Sequence, residues 1–186
     1  RETNIKISLN LDGTGNSKIN TSIPFVDHML ALMSKHGHID MDVRARGDIE
    51  IDYHHLIEDI GIVFGDAIKK ALGQKLMIRR YGEALTPMDE SLVQVAIDLS
   101  GRPFLVYNVK LPKGNAMIRK LELNLFEDFF RALSNHAGMN LHIIYYYGRD
   151  PHHIFEAIFK GLGRALRAAV ETHPNAKGVP STKGTL

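Results

Sequence analysis

The sequence predicts an α+β fold built by internal duplication, with two strand-strand-helix-strand-strand-helix units in succession. Three observations predict it. The motif His-His-x-x-Glu occurs twice, as His54-His55-Leu56-Ile57-Glu58 and as His152-His153-Ile154-Phe155-Glu156, 98 residues apart. Each copy opens a long segment of helical apolar spacing, His54 to Leu72 and 151–171. Alternating apolar residues precede each copy, Ile5, Ile7, Leu9 and Leu11 in one half and Val93, Val95, Ile97 and Leu99 in the other. That alternation is the period of a half-buried strand.

The elements follow in order. Residues 4–11 form a strand, Asp12-Gly13-Thr14-Gly15-Asn16 a turn, and a second strand lies near 18–23. Pro24 opens a helix with Phe25, Met29, Leu32 and Met33 on one face, and Gly37 ends it. Two extended stretches, near 39–46 and 48–53, flank Gly47-Asp48 and lead into the first motif helix. In the second half, Gly101-Arg102-Pro103 turns the chain into a strand at 104–111, and Pro112 and Gly114 mark an exposed loop. A helix at 121–136, a strand at 139–147 and the second motif helix complete the unit; the tail from Pro174 reads as irregular.

The duplication has a register. At a shift of 98, His54, His55, Glu58, Ile60, Gly65, Ala67 and Ala71 fall on His152, His153, Glu156, Ile158, Gly163, Ala165 and Ala169. Upstream, at a shift of 100, Ser34 and His36 fall on Ser134 and His136, and His28 falls on Asp128. A period of this length marks a duplicated small domain rather than a solenoid. The repeats are placed at 1–85 and 86–186, the second carrying the tail, in one compact domain with helices on one face of each sheet.

Composition narrows the functional classes. The chain has 186 residues, 44% hydrophobic and 24% charged, as in an ordinary soluble globular protein. A net charge of +2 gives no argument for nucleic acid or an anionic membrane as partner. No apolar run has the length of a membrane span. The chain has no cysteine, so any metal must be held by imidazole and carboxylate. Ten histidines, mostly clustered, are the unusual count.

In a helix, Glu58 lies close to both His54 and His55, being four and three residues on. The two histidines diverge by about 100°, so they serve two ions, or one ion and a substrate. The second copy repeats this geometry, and together the copies offer four histidines and two carboxylates. Imidazole and carboxylate without thiolate suit Mn(II), Fe(II) or Zn(II). A single His pair at a helix start is ordinarily capping or solvated polarity; its duplication favours metal binding. Asp52 and Asp150, two residues ahead of each pair, read as N-terminal caps.

Several strings resemble the signature blocks of the imidazoleglycerol-phosphate dehydratase family: Phe25-Val26-Asp27-His28-Met29-Leu30, His54-His55-Leu56-Ile57-Glu58-Asp59, Pro87-Met88-Asp89-Glu90, Leu99-Ser100-Gly101-Arg102-Pro103, His152-His153-Ile154-Phe155-Glu156-Ala157 and Pro180-Ser181-Thr182-Lys183-Gly184. The resemblance runs from Glu2 to Lys183. It implies a hydro-lyase that converts imidazole glycerol phosphate to imidazole acetol phosphate in histidine biosynthesis. It implies two Mn(II) ions per active site, two repeats resembling ribosomal protein S5 domain 2, and a homo-oligomer of 24 subunits with sites at subunit junctions.

By position, His28, His54, His55, Glu58, His152, His153 and Glu156 match the family's metal ligands. Asp128 stands where family members often have a histidine ligand; the shorter, acidic aspartate can ligate, act through water or leave the site. The stretches His28–His36 and His152–Lys160, which also include His36 and Lys160, match substrate-contacting segments, as do His54 and Glu58. Arg80, Arg102, Ser181 and Lys183 match groups whose chemistry suits the substrate phosphate. Glu2 and Asp89 are the candidates for proton transfer, Glu2 also contacting substrate.

The implied reaction explains the need for metal. No carbonyl flanks the carbon that loses its proton, so the imidazole ring must act as electron sink. Two ions would hold it as a dimetal-bound imidazolate able to expel hydroxide. Other classes compete. A dinuclear phosphate-ester hydrolase would use a similar ligand set, and a metal-storage protein would take up metal without turnover. An RNA-binding module is disfavoured by the near-zero charge and the lack of a basic-aromatic stripe. The chain starts at Arg1 rather than Met. The expected compartment is the cytoplasm, or the plastid if a transit segment has been removed.

Overall fold

The computed structural model describes residues 3–112, 116–173, 175 and 178–181. Strands β1 (Thr3–Asn10), β2 (Ser17–Asn20) and β3 (Asp40–Gly47) form the first sheet, in the order β1-β3-β2. Helix α1 (Pro24–Gly37) connects β2 to β3, and α2 (His54–Leu72) follows. The second sheet holds β4 (Tyr81–Met88), β5 (Ser91–Asp98), β6 (Phe104–Asn108) and β9 (Asn140–Tyr147), in the order β4-β5-β9-β6. A small hairpin, β7 (Met117–Ile118) with β8 (Leu121–Glu122), precedes α3 (Leu125–Ala137), and α4 (Pro151–Val170) closes the unit.

The α+β class and the duplication are both visible in the sheets. In the first, β3 pairs antiparallel with β1 and parallel with β2, Ile7 and Ile19 both opposite Val43. In the second, β9 pairs antiparallel with β5 and parallel with β6, Ile97 and Leu105 both opposite Leu141. The same topology therefore recurs, with β4 added at the edge of the second sheet beside β5. β4 runs from residue 81 to 88, across position 85.

The fold differs from the sequence expectation in three places. The segment 48–53 is a turn-rich connection, not a strand. β3 has β1 and β2 on its two sides, so the chain that follows it cannot pair with it in a hairpin. The third helix begins at Leu125 rather than 121, because Leu121 and Glu122 pair with Met117 and Ile118. Strand β4 had no sequence signal. Its inward positions Gly82, Ala84 and Thr86 are small, and its outward positions include Tyr81 and Leu85, so the usual alternation is inverted. The cause is the approach of α4: a Cβ on Gly82 would lie 2.0 Å from the Ala165 carbonyl oxygen.

Helices α1 and α2 pack against the first sheet, α3 and α4 against the second, and the layers meet through α1 with α4 and α2 with α3. Each of these cross-repeat pairs is drawn close by glycine. A Cβ on Gly163 would lie 2.4 Å from the Met33 carbonyl oxygen, and one on its counterpart Gly65 would lie 2.8 Å from that of Leu133. The matched serines also do the same work. Ser34 Oγ donates to the Ile39 carbonyl and Ser134 Oγ to the Met139 carbonyl, each at 2.7 Å, closing α1 and α3. Between the layers, Phe126, Phe129, Phe130, Phe155 and Phe159 form an aromatic cluster, with Phe126 and Phe155 centroids 4.7 Å apart. Burying each such ring contributes roughly 1.5–3 kcal/mol. Among the described residues, no helix is long and apolar enough to cross a membrane.

Candidate functional site

The cross-repeat helix pairing determines which side chains meet. The start of α4 lies against α1, so His152 and Glu156 face His28. His28 Nε2 and His152 Nε2 are each 3.1 Å from Glu156 Oε1. One donor atom from each of the three residues lies within 4.8 Å of the other two, a spacing that can surround one metal ion. Phe25 packs edge-on against His152 at 5.3 Å, and the Asp150 carboxylate caps the helix by accepting from the His152 backbone N–H at 2.8 Å.

Lys160 lies one turn further along α4 and donates to Glu156 Oε2 at 2.6 Å. Burial alone would raise the Glu156 pKa, but the bonds from Lys160 and His28 outweigh it and hold the carboxyl at about 2. The anionic form is thus the resting form of this buried ligand candidate. His36, on the last turn of α1, has its pKa lowered by burial and then by the nearby Lys160 and Arg164 charges.

The pseudo-equivalent cluster forms where α2 meets α3. His54 Nε2 is 3.7 Å from Glu58 Oε2, and His54 Nδ1 is 3.7 Å from Asp128 Oδ2. Asp128 occupies the position that matches His28, but it approaches the histidine of its motif, on the ring nitrogen opposite the one facing Glu58, whereas His28 approaches the glutamate of the other motif. Asp52 accepts from the His54 N–H at 2.8 Å, as Asp150 does in the other copy.

The second histidine of each motif turns elsewhere, as their divergence on a helix requires. His55 Nδ1 lies 3.5 Å from Asp48 Oδ2. His153 Nδ1 lies 2.8 Å from Glu90 Oε2, and this bond raises the His153 pKa against the opposing effect of burial. Glu90 also accepts the backbone N–H groups of Asp150 and Arg149, and these bonds hold its carboxyl far below the usual carboxylate range. Sequence reasoning put forward Asp89 and assigned nothing to Glu90, although both stand in the block Pro87-Met88-Asp89-Glu90. Asp89 sits in the β4–β5 turn with φ of 46°, exposed, 3.8 Å from His153 Nε2.

The groups with phosphate-suited chemistry gather at the other end of the second sheet. The Arg80 guanidinium donates through Nε to Asp98 Oδ1 at 2.6 Å, through Nη2 to Asp98 Oδ2 at 3.1 Å, and through Nη1 to the Pro180 carbonyl at 3.0 Å. Pro180 brings Ser181 to the same end. Arg102 lies in the exposed β5–β6 turn, its backbone bonded to Ser100 Oγ. Glu2 and Lys183 lie outside the described residues.

The two ends are far apart within one chain. The Arg80 backbone N–H bonds to the carbonyl of Ala169, near the end of α4. Between His152 and Ala169 the helix rises about 25 Å, at about 1.5 Å per residue. Strand β4 measures the same separation, since Arg80 precedes its first residue and Asp89 and Glu90 follow its last.

Comparison with known proteins finds relatives along the whole chain. The family model described as "Imidazoleglycerol-phosphate dehydratase" matches residues 21–166. An imidazoleglycerol-phosphate dehydratase from Geobacter metallireducens is 53% identical over 186 residues, covering 100% of this chain and 94% of the relative. One from Citrifermentans bemidjiense is 54% identical with the same coverage. Among solved structures, IGPD from Pyrococcus furiosus superposes with a TM-score of 0.85 at 35% identity, covering 100% of this chain and 97% of the other. The Staphylococcus aureus enzyme gives 0.81 at 39% identity, covering 92% and 95%. With its repeated His-His-x-x-Glu helices and full-length similarity to these proteins, the chain belongs to the imidazoleglycerol-phosphate dehydratase family.

Proposed function

We propose that this chain dehydrates imidazole glycerol phosphate to imidazole acetol phosphate, a step of histidine biosynthesis, at a site that holds two Mn(II) ions. The observation that carries the metal part of this reading is the convergence of His28, His152 and Glu156, two nitrogens and an oxygen within 4.8 Å. These residues fit a divalent ion, because the carboxyl is already ionised and neutral imidazole suits such an ion. His54, Glu58 and Asp128 are the proposed partners for the second ion, with His55 and His153 supplying further nitrogens. When bound, the ions supply Lewis-acid stabilisation of negative charge on the substrate ring.

The remaining work falls to side chains of this protein. Arg80, Arg102, Ser181 and Lys183 hold the phosphate, the arginines by forked bonds. His36 and Lys160 border the cluster around Glu156 and contact the substrate. The elimination needs a donor for the leaving hydroxyl and a base for the neighbouring carbon. Glu2 and Asp89 are assigned these roles. Asp89 suits one of them because it stands exposed beside His153.

The distance of about 25 Å between the phosphate groups and the histidine clusters exceeds the span of so small a substrate. A complete site therefore draws its phosphate end and its metal end from different copies of the chain. This supports a homo-oligomer, for which the proposed count is 24 subunits. The Geobacter and Citrifermentans relatives are bacterial, and the proposed compartment is the cytoplasm.

Product analysis tests the reaction. Purified protein with Mn(II) and imidazole glycerol phosphate is expected to yield the ketone phosphate with no inorganic phosphate released. Phosphate release without ketone would replace this reading by a dinuclear phosphate-ester hydrolase.

A further inference from the structure

We propose that Asp98 is a positioning residue for the substrate phosphate, acting through Arg80; the inference rests on the phosphate-binding role assigned to Arg80 above. Three features of the structure converge on the pair. The Asp98 carboxylate takes the Nε and Nη2 edge of Arg80 in a two-bond fork, which fixes the plane of the guanidinium as well as its place. Both side chains are largely enclosed, at 13% and 17% exposure, so solvent competes weakly for the fork. Arg80 also holds a φ of 72°, a left-handed backbone conformation that residues other than glycine adopt infrequently. Such a strained conformation persists only where its surroundings over-determine it.

Those surroundings can be named. The Arg80 N–H bonds to the Ala169 carbonyl at the end of α4, its carbonyl accepts from the Leu99 N–H, and its guanidinium lies 4.8 Å over the Tyr81 ring. Tyr81 is the register partner of Asp98 across β4 and β5, so carboxylate, guanidinium and ring are set by one strand pair. The fork leaves Nη1 directed to the Pro180 carbonyl, the residue before Ser181. Asp98 therefore places two proposed phosphate contacts at once, the guanidinium directly and the Ser181 segment through it. Removing the carboxylate frees the guanidinium to rotate and separates it from Pro180. Phosphate binding then loses its preorganised geometry, while the His28, His152 and Glu156 cluster of the same chain, about 25 Å away along α4, keeps its own contacts.

The test uses the full-length, Mn(II)-loaded protein with Asp98→Asn, Arg80→Ala and the double variant. Each is assayed for KM and kcat with imidazole glycerol phosphate and for competitive inhibition by inorganic phosphate. Asp98→Asn is expected to raise KM and the phosphate inhibition constant together by about 10-fold, with kcat within about twofold and metal content unchanged. In the Arg80→Ala background the same substitution is expected to add less than about twofold, since its target is gone. Asp98→Glu keeps the charge and is expected to restore part of the loss, and it serves as the reporter if Asp98→Asn fails to fold. If Arg80→Ala raises KM but Asp98→Asn does not, or if the Asp98 effect is equally large without Arg80, the inference is wrong. If Arg80→Ala itself leaves KM and phosphate inhibition unchanged, the phosphate role of Arg80 falls and the inference falls with it.

Discussion

The two copies of His-His-x-x-Glu occupy equivalent places in the fold, yet one is tight and the other loose. Around Glu156, both histidines stand at 3.1 Å and Lys160 at 2.6 Å, with the carboxylate only 11% exposed. Around His54, Glu58 and Asp128 each stand at 3.7 Å and are 47% and 41% exposed. Particular replacements between the repeats account for the difference. Lys160 corresponds to Ile62, so Glu58 has no cation one turn on. His28 corresponds to Asp128, whose side chain is shorter, and Phe25, which packs on His152, corresponds to Leu125. The backbone frame is common to both, down to Gly65 with Gly163 and Ser34 with Ser134. A duplicated frame thus carries one tight side-chain cluster and one loose one.

Several experiments would break or sharpen that comparison. The largest effect is expected from Glu156→Ala, which should weaken Mn(II) binding by more than about 100-fold and abolish turnover, while Glu58→Ala weakens it about 10-fold, both read by calorimetric titration. Equal losses would show that the two halves are energetically alike. The shared frame is tested next by Gly163→Ala and Gly65→Ala. Each places a Cβ against a carbonyl of the facing helix, at 2.4 Å and 2.8 Å, and should cost roughly 1–3 kcal/mol in urea unfolding, Gly163→Ala more. A neutral result at Gly163 would mean that α1 and α4 yield freely.

Asp128→His is expected to make the loose half resemble the tight one, raising its Mn(II) affinity by about 10-fold. Weaker binding would mean that the aspartate is the better ligand here. The smallest effect concerns acid stability of the metal-free protein. The Glu156 pKa is depressed from 4.5 to about 2, so its contribution to stability is complete above 4.5 and is lost as pH falls toward 2. Lys160→Ile removes an ammonium that opposes burial. The variant should be less stable above pH 4.5, and its loss between pH 4.5 and 2 should be smaller than in the parent by about 1–2 kcal/mol. Superimposable acid unfolding curves would show that Lys160 does not set the Glu156 charge.

Much of this arrangement was legible in the residues. The two motif helices, their caps at Asp52 and Asp150, and the alternating strands β1 and β5 follow from periodicity and local chemistry. Strand β4 was not legible, because its buried face is made small by α4 and its larger residues point outward. The segment 48–53 alternates like a strand but cannot pair with β3, which is already flanked by β1 and β2, a property of the whole sheet rather than of its residues. The approach of His28 to the second motif, and of Asp128 to the first, depends on the pairing of α1 with α4 and α2 with α3. Motif spacing alone left that partner choice open. Glu90 and Asp98 were missed for a related reason: each acts on a residue distant in sequence, 63 positions away for His153 and 18 for Arg80.

The most direct test of the account is a metal titration followed by activity. The protein is stripped with chelator, Mn(II) is returned in steps, and bound ions per chain and turnover of imidazole glycerol phosphate are measured at each step. The account predicts that a first ion per chain binds tightly with little turnover and that activity rises as the second binds. Full turnover with one ion per chain, or with chelator still present, would contradict it.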